Sequence, residues 1–426
     1  MVADLILALD FLSVLVKKGF LGMIMVETSN IKNIGLRGVK VADTRISDVD
    51  GTNGILIYRG FPIEELAEHS TFEETSYLLL HDDMPTVREL REFTDGLRKV
   101  RSLPAFVPEV LAHLPKGSLP MDVLQAAVPL LAMDDPDLAD DSREANLRKA
   151  GRLIARLAAV VAAWHRIRNG QDILLPDEGL SHAGNFLWQL RGEKPDHETA
   201  KDLDTALILH ADHSFNASTF ACREVTSTQA HMYAAVAAGV GALSGSLHGG
   251  ANTLVMKMLD ALKGEPDVAA WVRLELDSGR KIMGMGHAVY KTTDPRAKFL
   301  KNMCFRMGKK LGEDHWCRLS TQIEATAVAE FAKRGKTTIK PNVDFFSAPV
   351  YHMMGIPGDL MTPLFAVSRI AGWASHIIEE KFGDAHGETP ALYRPSSEYT
   401  GHYCGKEGCT YTPIEERGGA MGTRTL

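Results

Sequence analysis

Positive charge is in short supply in this chain. Its 426 residues hold 47 Lys and Arg against 54 Asp and Glu, a formal net charge of -7. That balance excludes the basic footprint of a general nucleic-acid binder, so an anionic ligand must be met by locally placed arginines. Cysteine is scarce too: five residues, at 222, 304, 317, 404 and 409, form no Cys-x-x-Cys pair and leave one thiol odd. The pattern predicts free thiols in a reducing, cytoplasmic compartment, with Cys404 and Cys409 as two free thiols in a C-terminal turn.

Long uninterrupted apolar runs are also missing. Residues 1–25 are apolar but carry Asp4 and Asp10 and lack a basic start, which makes them a poor signal peptide and a poor membrane span. Residues 1–30 are expected to be an N-terminal extension with no part in the chemistry, and Met23 and Met25 suggest a mis-assigned start. The run AHMYAAVAAGVGAL at 230–243 is too short to cross a bilayer and predicts a tightly packed buried helix. Strand signals are confined to TRISDVDGTNGILIYRG, where Asp-Gly and Asn-Gly between two β-type runs predict a hairpin.

What the chain does have is helical periodicity. Apolar residues recur at helical spacing over 72–81, 86–100, 121–133 and 146–167, with an acidic loop at 134–145. The fold class expected is all-α with a small β-hairpin near the N-terminus. The length exceeds one ordinary core, so two domains are expected. We place the large domain at 31–250, a smaller helical domain at 251–355, and the return to the large domain at 356–426. Thr362 as cap and Pro363 in the first turn are expected to open the returning helix.

Two histidines sit in glycine-rich segments, His248 in GSLHGGAN and His287 in GMGHAVYKTTDPRA. His248 lies just before a helix expected from Ala251 to about Lys263, where the helix dipole favours a neutral ring able to donate to an oxyanion. In ILHADHSFNASTF, His210 and His213 share a helix face; a metal pair lacks a third ligand at a recognisable spacing, leaving a structural contact or a substrate donor. Asp294 reads as a helix cap before Pro295, and Phe299, Met303, Met307 and Leu311 as a buried stripe. Arg296 in that first turn opposes the helix dipole and needs either an acidic neighbour or an anionic ligand. Asp344 reads as a cap or as a carboxylate base opposite the two histidines. Phe365, Arg369, Trp373 and His376 share one stripe, so Arg369 is either in a buried ion pair or on a substrate carboxylate. Arg394, in LYRPSSEYTG, is a candidate for reaching a neighbouring subunit.

In this order, the motifs resemble the citrate synthase family. The resemblance runs from GLRGVKVADTRISDVDGTNGILIYRG through HADHSFNASTFACREVTST, GSLHGGAN, GMGHAVYKTTDPRA, NVDFFSAPVYHMMGIP and FAVSRIAGWASHIIEE to RPSSEYTG and YTPIEER. It implies an all-α homodimer, with a large and a small domain per subunit and the site in the cleft. By the same resemblance Asp344 takes a proton from the methyl group of acetyl-CoA, and His248 stabilises the enolate. His287 hydrogen bonds the oxaloacetate carbonyl, and water then cleaves citryl-CoA. His213, Arg296, Arg369 and Arg394 match oxaloacetate-binding positions, with Arg394 serving the partner subunit's site. Lys291 matches a CoA phosphate contact. No metal and no cofactor beyond the CoA substrate is implied, and no membrane or nucleic-acid partner.

Ser246 stands where many relatives carry proline, and Ala288 where many bacterial relatives carry arginine, so no CoA contact is assigned at Ala288. The large regulatory domain of some relatives is not seen, which implies no allosteric control by NADH. A 2-methylcitrate synthase, using propionyl-CoA with the same residues, is the nearest alternative. A silent regulator of this fold would be expected to have lost His248, His287 or Asp344, and all three are present.

Overall fold

The computed structural model describes residues 35–36, 38–385, 392–401 and 411–416. The expected N-terminal extension, Cys404 and Cys409 lie outside them. Near the start stand three short antiparallel strands, β1 (Ser47–Asp50), β2 (Ile55–Tyr58) and β3 (Phe61–Pro62), in the order β1-β2-β3. Ser47 faces Tyr58 and Asp50 faces Ile55. The Asp50 carboxylate closes the turn by accepting from the Thr52 and Asn53 amides at 2.9 and 3.0 Å. The predicted hairpin is there, extended by a third strand too short to leave a periodic signal.

Helices make up nearly all the rest, and local capping explains where several begin. In the first half come α1 (Ile63–His69), α2 (Phe72–His81), α3 (Val87–Lys99), α4 (Phe106–Ala112), α5 (Pro120–Ala132), α6 (Arg143–Arg168), α7 (His182–Arg191) and α8 (His197–His210). Thr86 and Glu89 form a reciprocal capping box on α3, and Asp196 caps α8. Then follow α9 (Ala217–Ser227), α10 (Met232–Ser244), α11 (Ala251–Ala261), α12 (Val268–Asp277), α13 (Pro295–Leu311), α14 (His315–Lys333), α15 (Val343–Met353) and α16 (Met361–Phe382). Asn216, Asp294 and Asn342 cap α9, α13 and α15. The all-α expectation holds. Thr362 is not the cap of α16; that helix starts at Met361, and the Thr362 hydroxyl donates to Gly249 O at 3.1 Å.

The core is organised on α16, which is buried from Met361 through Lys381 and packs against α2, α6, α8, α9 and α10. A helix buried all round must find partners for its polar groups. Arg223 of α9 supplies two, pairing with Glu379 at 2.6 Å and Glu380 at 2.7 Å. Gly372 lets α16 approach the loop after α8: its amide donates to Ala211 O at 3.1 Å, and a β-carbon there would overlap the Asp212 side chain. From Thr44 onward the chain forms one compact unit.

The expectation of free thiols fails for one pair. Cys304 of α13 and Cys317 of α14 are joined, with 5.8 Å between Cα atoms and 13 residues of separation. A tight turn through Gly312, which adopts φ 73°, folds α14 back on α13 and sets the two sulfurs opposite each other. Such a spacing matches no motif, because it depends on how two helices dock. On α13 the buried line runs through Leu300, Met303, Cys304 and Met307, while Leu311, expected inside, is half exposed. Reduction of this bond is expected to cost about 3 kcal/mol by the chain-entropy argument. Melting curves with and without reductant test it; superimposable curves would show the two thiols free.

Candidate active site

Four segments converge on α16 and the hairpin. The loop between α8 and α9 carries His213. Tyr58 of β2 fixes this loop, its hydroxyl accepting from the Asp212 amide at 3.0 Å and donating to Asp212 O at 2.7 Å. Asp212 itself accepts from Ser47 Oγ and from the Ser214 amide, and its other oxygen lies 3.4 Å from His376 of α16. His213 is thereby held between sheet and core.

The loop ahead of α13 carries His287 and Tyr290. Nδ1 of His287 accepts from the amides of Val289 and Tyr290, at 3.0 and 3.1 Å. A nitrogen that accepts two N–H bonds has no proton, so in the neutral ring the proton sits on Nε2. Burial, and after it the positive charge of Arg296, lowers the His287 pKa to about 4, so the ring is neutral at physiological pH. The His213 and His287 rings stand 5.2 Å apart, and the Tyr290 hydroxyl is 3.2 Å from His213 Nε2. Burial, then Arg296, His287 and Arg369, push the His213 pKa well down.

His248 lies in the turn before α11. Its Nε2 accepts from the Ser218 amide at 3.2 Å, with the Ser218 hydroxyl 2.8 Å away, which leaves Nδ1 as the protonated nitrogen. Ser218 is held in turn by Asn216 Oδ1 at 2.7 Å and by Trp373 Nε1 at 3.2 Å. Burial first, then Arg369, lowers the His248 pKa to about 4. The neutral ring expected from the helix start is found, but its causes are burial and a neighbouring guanidinium. Gly249 is obligatory in this turn because a β-carbon would overlap the Leu243 carbonyl.

Asp344 sits in the first turn of α15, its amide donating to Asn342 Oδ1 at 3.0 Å. Asn342, not Asp344, is the cap, which frees the carboxylate. Backbone bonds from Gly286 N to Lys340 O and from Asn342 N to Gly284 O, at 2.8 and 2.9 Å, tie this segment to the His287 loop. One carboxylate oxygen of Asp344 is buried without a hydrogen-bond partner among the described residues. Burial raises the pKa to about 7; Arg296 and Arg369 oppose the rise and Asp294 adds to it.

Two arginines complete the site and differ in kind. Arg296 forms a bidentate pair with Asp294, at 2.9 Å from Nε and 2.7 Å from Nη2, so it has the acidic neighbour that its position demands. Arg369 has none. Its Nε donates to His210 O at 2.7 Å and its guanidinium lies 4.7 Å from the Phe365 ring centroid, yet no carboxylate lies within 4.0 Å among the described residues. Burial, with Arg296 adding to it and Asp212 opposing, lowers its pKa to about 10. A buried cation without a counter-ion marks the place of an anionic ligand.

The matching sequence profile, described as citrate synthase, C-terminal domain, covers residues 35–396. The chain belongs to the citrate synthase family. The citrate synthase of Haloferax volcanii is 43% identical over 388 residues, covering 90% of this chain and 98% of that protein. The 2-methylcitrate synthase 2 of Corynebacterium glutamicum is 38% identical over 389 residues, covering 90% of this chain and 97% of that one. Among solved structures, the citrate synthase of Thermoplasma acidophilum, in ternary complex with carboxymethyl coenzyme A and oxaloacetate, superposes with a TM-score of 0.81 at 33% identity, covering 89% of this chain and 98% of that chain.

Within this family frame, His213, His248, His287, Asp344, Arg296 and Arg369 gather in one region. Two predicted residues stay outside it. The exposed Lys291 side chain sits on the surface of the His287 loop, whose amide donates to Gly51 O at 2.8 Å. Arg394 is exposed on a segment held to the core through Tyr393, whose hydroxyl donates to Glu380 at 3.0 Å. His210 Nδ1 donates to Ala206 O at 2.7 Å, and no group of three ligating side chains is found among the described residues. Ser218, Asn342 and Tyr290 were not singled out in the sequence, since each acts through a tertiary hydrogen bond. Asp294 was legible only as a cap.

Proposed function

We propose that this protein condenses acetyl-CoA with oxaloacetate and hydrolyses citryl-CoA to citrate and CoA. The observation that carries the reading is the unpaired, buried Arg369 guanidinium beside two neutral imidazoles and a buried carboxyl group. In the reaction Asp344 accepts a proton from the acetyl methyl group. His248 Nδ1–H donates to the thioester oxygen as the enolate forms, and His287 Nε2–H donates to the oxaloacetate carbonyl, which becomes the hydroxyl of the product. The new bond joins the acetyl methyl carbon to that carbonyl carbon. Water then attacks the citryl thioester, releasing CoA as the thiol.

Arg369 binds one oxaloacetate carboxylate, with His213, Arg296 and the partner's Arg394 as further contacts. Arg296 keeps Asp294 on Nε and Nη2, and its Nη1, which donates to Leu209 O at 3.5 Å, has a second N–H for substrate. Lys291 takes a CoA phosphate. The assembly we infer is a homodimer, since Arg394 stands exposed and outside the region where the other site residues gather. Residues 251–355 act as a small domain that closes over the cleft. The donors already in place serve the oxyanion, so the reaction we propose uses no metal and no cofactor beyond the CoA thioester. No helix among the described residues is long and apolar enough to cross a membrane.

Choice of acyl group is the decisive measurement. One methylene in an apolar pocket is worth about 1–3 kcal/mol, roughly 10- to 200-fold in kcat/KM. With oxaloacetate as co-substrate, acetyl-CoA is expected to exceed propionyl-CoA by such a factor in CoA release. A preference for propionyl-CoA would assign the chain to 2-methylcitrate synthesis.

A further inference from the structure

The turn of the N-terminal hairpin touches the loop that holds His287, with one backbone hydrogen bond between them. Lys291 N donates to Gly51 O at 2.8 Å, and a β-carbon at Gly51 would overlap the Val289 carbonyl oxygen and lie 2.7 Å from its carbon. A little further on, a β-carbon at Gly54 would come within 2.7 Å of Thr292 Cγ2 and 3.0 Å of Thr293 O. The hairpin therefore lies against the whole of 289–293.

The touched peptide is the important one. The unit linking Val289 to Tyr290 presents its carbonyl to Gly51 and its N–H to His287 Nδ1 at 3.1 Å. A peptide plane is rigid, so fixing its carbonyl fixes the direction of its N–H. Gly51 does not adopt a positive φ. Its backbone would accept any residue, and only the approach of Val289 demands glycine. The turn is firm in itself, braced by Asp50, which also accepts from Asn53 Nδ2 at 2.6 Å.

We propose that Gly51 is a positioning residue for the reaction, seating the Val289–Tyr290 peptide so that its N–H holds His287 in the tautomer with the proton on Nε2. The inference rests on the role given to His287 above. Its logic is that of an outer partner fixing which nitrogen of an imidazole is the donor. The charged and titratable groups around His287 are Arg296 and Asp294 of α13, His213 of the loop after α8, and Tyr290 of its own loop. None of these is bonded to Nδ1, so the two amides alone set the tautomer.

Gly51→Ala tests this. The variant is expected to lower kcat about 10-fold or more with little change in KM for acetyl-CoA. The 15N shifts of the His287 ring, in histidine-labelled protein, are expected to change from one neutral tautomer to a mixture, and the ring is expected to titrate at higher pH as an acceptor bond is lost. Gly60→Ala is the control: Gly60 adopts φ 88° with no atom within 4 Å of its would-be β-carbon, so it strains the hairpin without touching Val289. It should cost stability and leave the tautomer intact. If Gly51→Ala does not fold, Asp50→Ala, which loosens the same turn without a clash, is expected to move the ring shifts in the same direction. An unchanged His287 tautomer in the folded variant would overturn the proposal. A changed tautomer with full activity would uphold the clamp and refute instead the role given to His287.

Discussion

Asp344→Asn is expected to reduce kcat roughly 1000-fold, the scale of a lost general base, while oxaloacetate binds within about threefold of wild type, since the arginines and imidazoles are untouched. The same substitution should alter stability, and in a pH-dependent way. Burial lifts the Asp344 pKa to about 7, above its ordinary value of 3.8. The folded state therefore holds this proton more tightly than the unfolded state. Stability attributable to the group is greatest below pH 4 and falls as pH rises towards 7, where the buried carboxylate ionises. Asparagine has no such loss, so the variant should gain on wild type across that window, by on the order of 2–4 kcal/mol at pH 8. Denaturant melts at pH 5 and pH 8 give the difference. In wild type, kcat/KM for acetyl-CoA should drop tenfold per pH unit below about 7, because only the carboxylate accepts a proton. Turnover near the wild-type value in the asparagine variant would refute Asp344 as the base.

The second large effect belongs to Arg369. Its guanidinium is buried without a carboxylate partner among the described residues, and in the function we propose the substrate completes the pair. Arg369→Met is expected to weaken oxaloacetate binding by on the order of 2–5 kcal/mol, roughly 30-fold or more. The ligand-free protein should lose little. The bond to His210 O is worth about 1 kcal/mol, and relief from burying an unpaired charge offsets it. Oxaloacetate at about 100 times its dissociation constant should stabilise wild type by about 2.7 kcal/mol and do nothing comparable for the variant. A variant that melts far below wild type without ligand, yet binds oxaloacetate normally, would make Arg369 a structural residue.

Arg296 shows how two open readings were resolved by packing. Its place in the first turn of a helix called for an acidic neighbour or an anion, and spacing could not choose. The neighbour is Asp294, two residues away, which caps the helix with one oxygen and takes the guanidinium with both. Arg369 had the same two options and received no acid. That difference depends on whether an acid stands beside the guanidinium in the folded chain, which a helical stripe does not report.

Cys304 and Cys317 show the limit from another side. Counting thiols led to the expectation of none paired, because no recognised spacing was present. Their meeting depends on the angle at which α14 returns along α13, a property of the turn and of the faces that dock. Tyr58 is similar: the β-type run that holds it was legible, but the two hydrogen bonds of its hydroxyl to the Asp212 backbone join residues 154 apart.

By itself the sequence determined the helical class, the hairpin and the limits of the strongly periodic helices, and it singled out His248, His287 and Asp344; the roles expected of His213, Arg296 and Arg369 came from the family resemblance. These are local matters: periodicity, capping and residue type act within a few residues along the chain. Only the tertiary structure decided which ring nitrogen of each histidine donates, which arginine stays unpaired, and how far the Asp344 pKa rises. Those properties arise from burial and from hydrogen bonds between segments remote in sequence, such as Ser218 with His248 or Gly51 with the His287 loop. Their energies depend on distances of a few tenths of an ångström, which residue order does not specify.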